Sequence, residues 1–124
     1  MDVPQGPALD PATIGELHRL QAEYAKPAFI RELVAIFKAN APGRMHAIRE
    51  AIQQSDRGGL EHVAHTLKSN CGMLGALRMA ALCAELEAAG EQGGFDRAAA
   101  LLPEAEGEFA RVLAAVDELS RQES

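Results

Sequence analysis

Ala64-His65-Thr66-Leu67-Lys68-Ser69-Asn70-Cys71-Gly72-Met73-Leu74-Gly75-Ala76 reads as the second half of an amphipathic helix and its stop. At about 100° per residue, Leu60, Val63, Ala64, Leu67, Asn70, Cys71 and Leu74 share one side, a mostly apolar stripe that needs a core to cover it. Gly75 marks the end, because glycine takes the left-handed backbone on which many helices close. Upstream, Asp56 offers a side-chain acceptor to the free N–H groups of a first turn. The spacing predicts a helix from about Arg57 to Met73. His65 lies about 150° from the centre of the apolar side, on a flank shared with Gly58, Glu61, His62, Lys68, Ser69 and Gly72.

The same reading extends outward in both directions. Asp10-Pro11 is a helix start, an acceptor followed by proline at the first helical position, and a short helix to about Gln21 would bury Ile14, Leu17 and Leu20. Pro27 opens a second helix with a wide apolar set, Phe29, Ile30, Leu33, Val34, Ile36 and Phe37, and Asn40-Ala41-Pro42-Gly43 punctuates it. A third runs from Arg44 to Gln54 with Met45, Ile48 and Ile52 inward. Beyond the opening stretch, a helix from about Ala76 to Glu91 places Leu77, Leu82, Cys83 and Leu86 inside, and Gly93-Gly94 forms a turn. The last helix, Phe95 to about Leu119, uses Leu102, Phe109, Val112, Leu113 and Val116, with a kink or broken start expected at Pro103. Short loops between long amphipathic helices imply antiparallel neighbours, so the expected fold is all-α: an up-and-down antiparallel four-helix bundle with additional short N-terminal helices.

Composition agrees with that class. The chain has 124 residues, one domain by length, with 48% hydrophobic residues and only five aromatic ones. Alanine and leucine supply most of the apolar content and favour helix. The expected division is a loose lead over 1–9, the bundle over 10–120 and a polar tail over 121–124. A net charge of −6 argues against a nucleic-acid binder and against an anionic membrane surface as partner. No run of 18 apolar residues is present, and the start lacks the basic and apolar regions of a signal peptide, so the expected location is the cytoplasm. Met1 and the polar Ser120–Ser124 end favour a free-standing protein.

His65 is the residue around which chemistry can be built. Three of its six neighbours on the flank are Gly or Ser, although Gly inside a helix gives up to about 1 kcal/mol relative to Ala. One reading is a low face that lets another protein reach the imidazole. The other is that Gly58 and Gly59 are a frayed helix start and Gly72 an early end. Lys68 is within side-chain reach of His65, and could neutralise a phosphoryl group or simply be solvated. A metal shared by His62 and His65 lacks a ligand set, since only Glu61 is near. Cys71 and Cys83 lie on apolar faces, where a thiolate is disfavoured, and read as small buried core residues.

The segment resembles a histidine phosphotransfer (HPt) domain of bacterial multistep phosphorelays. The resemblance rests on Ala64-His65-Thr66-Leu67-Lys68-Ser69-Asn70-Cys71, then Leu74-Gly75-Ala76, then Cys83-Ala84-Glu85-Leu86-Glu87, and extends more weakly over about residues 9–118. It implies that His65 is the phosphoacceptor, that Lys68 stabilises the phosphoryl group, and that Gly58, Glu61, His62, Ser69 and Gly72 meet the partner. It departs from the family at Ser69, where Gly is common, and at Asn70 and Cys71, where Ser or Ala is common. Asn70, at the core edge, must find hydrogen-bond partners. The implied partners are response-regulator receiver domains and a hybrid histidine kinase. No cofactor of its own is implied, Mg²⁺ being expected on the receiver, and no metal site. The protein would be a monomeric phosphocarrier without ATP-binding or autokinase machinery, hence not an enzyme. The rival reading is a helical adaptor that docks a receiver or kinase without taking phosphate, for which His65 and Lys68 would be dispensable.

Overall fold

The computed structural model describes residues 6–123. Five helices follow in order: α1 Pro11–Glu23, α2 Phe29–Gln53, α3 Arg57–Met73, α4 Leu77–Gln92 and α5 Phe95–Gln122. No strand occurs among the described residues. α2 to α5 form the antiparallel bundle, with α3 against α2 and α4, and α5 closing the ring against α4 and α2, while α1 leans on α2. Its core joins Ile30, Val34, Phe37, Ile48, Leu60, Leu67, Met79, Leu86, Val112 and Val116, and the Phe37 and Phe109 rings meet at 6.2 Å between centroids.

Two expectations about proline are corrected. α2 runs unbroken through Asn40–Gly43, so the expected second and third helices are one. α5 likewise continues through Pro103, so the helix has no broken start there. A proline inside a helix leaves the carbonyl four residues earlier without its donor and costs about 3 kcal/mol or more. Those carbonyls belong to Lys38 and Ala99, both exposed, where water can serve them. The offsetting gain is burial in unbroken phase: Ile30, Val34, Phe37, Ala41, Met45, Ile48 and Ile52 form one stripe through Pro42. Ala98, Ala105, Phe109, Val112, Val116 and Leu119 do the same through Pro103.

The helix ends follow local chemistry. Asp10 caps α1 by accepting from Thr13 N–H at 3.2 Å, and Asp56 caps α3 by accepting from Gly59 N–H at 2.9 Å. A Cβ on Gly59 would sit 2.3 Å from the Asp56 carboxylate, so this glycine belongs to the cap. α3 closes with Gly75 at φ +75°, Ala76 N–H donating to the Cys71 carbonyl at 2.9 Å and Gly75 N–H to the Gly72 carbonyl at 3.1 Å. Leu77 corrects another expectation: it is 54% exposed. It lies about 140° from Leu82 on the helical wheel, out of phase with Met79, Leu82, Cys83 and Leu86, which do face inward.

The described residues near both ends make defined contacts. Residues 1–5 and 124 lie outside the described residues. Leu9 is buried, Asp10 N–H donates to the Gly75 carbonyl at 2.7 Å, and Arg111 donates to the Gly6 carbonyl at 2.7 Å. α5 carries Ser120, Arg121 and Gln122 as its last turn.

Candidate functional site

The α3–α4 hairpin builds the site. His65 and Glu87 each stand eleven residues from Ala76, one before and one after, so an antiparallel pair turning at Gly75-Ala76 sets them opposite each other. Gly90, one turn beyond Glu87, brings the helices close: a Cβ there would lie 3.0 Å from the Glu61 nitrogen and 3.2 Å from Leu60 Cγ. At that spacing Glu87 Oε2 lies 2.9 Å from His65 Nδ1, and Lys68 Nζ donates to Glu87 Oε1 at 2.8 Å.

The electrostatics assign the protons. The Lys68 ammonium, and after it the His65 ring, hold the Glu87 carboxyl below its usual range. An ionised carboxylate only accepts hydrogen bonds, so Nδ1 carries the hydrogen and donates it to Glu87. When the ring carries a single hydrogen, Nε2 is then the nitrogen with the free lone pair. The His65 side chain is 59% exposed while Glu87 is 17% exposed. The arrangement therefore holds an exposed imidazole by its Nδ1 against a largely buried acceptor.

The expected site residues fall as follows. Gly58, Glu61 and His62 join His65 and Glu87 around one shallow depression. Ser69 and Gly72 lie outside it, exposed on the next turns of α3, with Ser69 Oγ donating back to the His65 carbonyl at 3.3 Å. A Cβ on Gly58 or Gly72 would meet nothing within 4 Å, so no internal contact requires glycine at either position. Lys68 is on the same face, engaged with Glu87. Asn70 finds its partner in Arg44, whose Nη1 donates to Oδ1 at 2.8 Å. Cys71 and Cys83 are free and buried, and the hydrogen bond between them, with burial, pushes the Cys71 thiol far up, which argues against a thiolate nucleophile.

Glu87 is the residue to which the sequence reading gave no role. The signal that points to it is the hairpin symmetry about Ala76.

Fold and site together define a helical bundle that presents an exposed histidine, paired with a glutamate, from a helical hairpin. The Hpt domain family model matches residues 32–122. The crystal structure of histidine-containing phosphotransfer protein B (HptB) from Pseudomonas aeruginosa PAO1 superposes with a TM-score of 0.82 at 30% identity, covering 95% of this chain and 98% of that one. A comparison with curated proteins gave no match. The chain belongs to the Hpt domain family. It is a histidine phosphotransfer protein of a phosphorelay, a family of phosphocarriers rather than kinases that works with receiver domains and kinases. Docking without phosphotransfer is not favoured. Among the described residues no helix is long and apolar enough to cross a membrane.

Proposed function

We propose that His65 is the phosphoacceptor and that Nε2 is the reacting atom. The observation that carries this reading is the contact of Nδ1 with the Glu87 carboxylate, which favours Nδ1–H and frees Nε2, on a side chain that is 59% exposed. In the transfer, the Nε2 lone pair attacks the phosphorus of a receiver's aspartyl phosphate. An Nε2–P bond forms, the P–O bond to the aspartate breaks, and the aspartate leaves as carboxylate. The Nδ1 proton stays on the ring, stabilised by Glu87 as positive charge develops. Passage to a second receiver runs the same step backwards, and regenerates a neutral ring as leaving group.

Lys68 balances Glu87 at rest and lies one turn from the acceptor, so a modest side-chain shift brings its ammonium to an incoming phosphoryl oxygen. Catalysis of this kind is largely positioning and charge stabilisation. We assign Mg²⁺ to the receiver's acidic site, and none of the ATP chemistry to this chain. Gly58, Glu61, His62, Ser69 and Gly72 form the low surface under the docked receiver, and the protein works as a cytoplasmic monomer.

The test is intact mass after incubation with a receiver domain phosphorylated by acetyl phosphate. Wild type gains one acid-labile phosphoryl group and His65→Gln gains none. Equal phosphorylation of His65→Gln would remove His65 as the acceptor.

A further inference from the structure

The depression around His65 is walled by Gly58, Glu61, His62 and Glu87, and Lys68 does not line it. Side chains on a helix lean toward its N-terminus, over the turn before their own. A group carried on the His65 ring therefore sits above the turn of Glu61 and His62. His62 is exposed and three residues before His65, a spacing that sets the two Cβ atoms about 5–6 Å apart. On the helical wheel it lies about 60° from His65, on the side opposite Lys68. His62 also differs from the other histidines of the chain. His18, His46 and His65 each contact a carboxylate, those of Glu123, Glu50 and Glu87. Among the described residues the His62 ring pairs with none.

The charges around the depression give that ring a task. A phosphoryl group brings close to two negative charges, and the wall already holds the acidic side chains of Glu61 and Glu87. At rest the Lys68 ammonium, 2.8 Å from Glu87 Oε1, balances Glu87. Arg57, two turns before His65, donates instead to the Glu91 carbonyl at the end of α4. Apart from His65 itself, His62 is the one group lining the depression that can become a cation. Histidine is the side chain that gains and loses a proton in the neutral range, which suits a charge that arrives and leaves.

We propose that His62 is a second phosphoryl-binding residue of the transfer site: as an imidazolium it donates to a phosphoryl oxygen on His65, from the side opposite Lys68. This role rests on the phosphotransfer reading above. The bonds that form and break are those of the transfer itself. His62 takes one proton from water as the phosphoryl group arrives and returns it as the group leaves. The charged groups around it are Glu61, His65 and Lys68 on α3 and Glu87 on α4, and no α2 residue lines the depression. A cation aimed at the phosphoryl oxygens stabilises the group in transit as well as in the product, so His62 acts on the rate.

The test uses phosphoramidate, a small donor that reaches His65 without a receiver, so docking plays no part. Labelling rates are followed by intact mass from about pH 6 to about pH 9, a range that spans the ordinary titration of histidine. Wild type is compared with His62→Gln and His62→Arg, with His65→Gln as the blank. Dividing each variant's rate by the wild-type rate at the same pH cancels the pH dependence of the donor and of His65. A unit charge about 5 Å from the phosphoryl group changes the rate about fivefold even at the dielectric constant of water. The expected His62→Gln ratio is therefore about one fifth at the acid end and close to one at the alkaline end, where an imidazole is uncharged. His62→Arg, a permanent cation, is expected to match wild type in acid and to exceed it about fivefold in alkali. A His62→Gln ratio that is constant across the range, whether at one or below it, would overturn the proposal, because a packing role does not titrate. Absence of labelling in wild type, or equal labelling of His65→Gln, would instead overturn the phosphotransfer reading, and the role of His62 with it.

Discussion

At the scale of the residue, one carboxylate determines what the histidine can do. Lys68, and after it His65, hold the Glu87 carboxyl below its usual range, and its negative charge favours the ring hydrogen on Nδ1. In Glu87→Gln the amide can still accept from Nδ1–H, but it no longer stabilises the charge that grows on the ring during attack. A hydrogen bond to a charged group contributes about 1.5–3 kcal/mol, so phosphoryl transfer should fall about tenfold or more, read as the rate from a saturating phosphorylated receiver. An unchanged rate would show that the carboxylate is only structural. The sequence made His65 and Lys68 legible because both lie on one helix, where spacing alone sets the face. Glu87 lies on the neighbouring helix, and its role depends on the register of the hairpin. Asn70 was placed correctly at the core edge, but its partner, Arg44, is on α2 and invisible to the wheel.

At the scale of the element, the hairpin α3–α4 is built on close approach. Gly90→Leu places a side chain where even a Cβ would crowd the α3 backbone near Glu61. Overpacking of this sort costs about 1–3 kcal/mol, and a urea melt is expected to show that loss. Helix closure supplies a change in the opposite direction. Ser55, after α2, sits at φ +53° while Asp56 N–H donates to the Ala51 carbonyl at 2.9 Å. The left-handed backbone costs a non-glycine residue about 1–2 kcal/mol, partly offset by the greater freedom of glycine in the unfolded chain. Ser55→Gly should raise the melting temperature; a lower one would contradict the strain argument. Helix identity, the α3 cap and the Gly75 stop were legible because they depend on local chemistry. A break at Pro42 and a broken start at Pro103 are what local propensity alone predicts, and neither occurs. The continuous burial stripe on either side of each proline, a tertiary gain, outweighs one missing hydrogen bond.

At the scale of the whole molecule, the bundle is a rigid mount that keeps one charged cluster at its surface. The cluster links function to stability through pH. The folded value for Glu87 lies below that of an ordinary glutamate, about 4.3. Its pairing therefore contributes fully above the unfolded value and is lost as pH falls through the depressed folded value. Wild type should exceed Glu87→Gln in stability at pH 7, and the gap should close in acid below about pH 4, measured by paired denaturant titrations. A gap that persisted unchanged in acid would mean that Glu87 stabilises by packing instead. The central claim, that the fold presents Nε2 of His65 as the phosphoryl carrier, is tested most directly by long-range ¹H–¹⁵N NMR of the ¹⁵N-labelled protein before and after phosphoramidate treatment. The account predicts an Nδ1–H tautomer for His65 beforehand and ³¹P coupling to Nε2 afterwards. An Nε2–H tautomer at rest, or phosphorus bonded to Nδ1 or to another histidine, would contradict it.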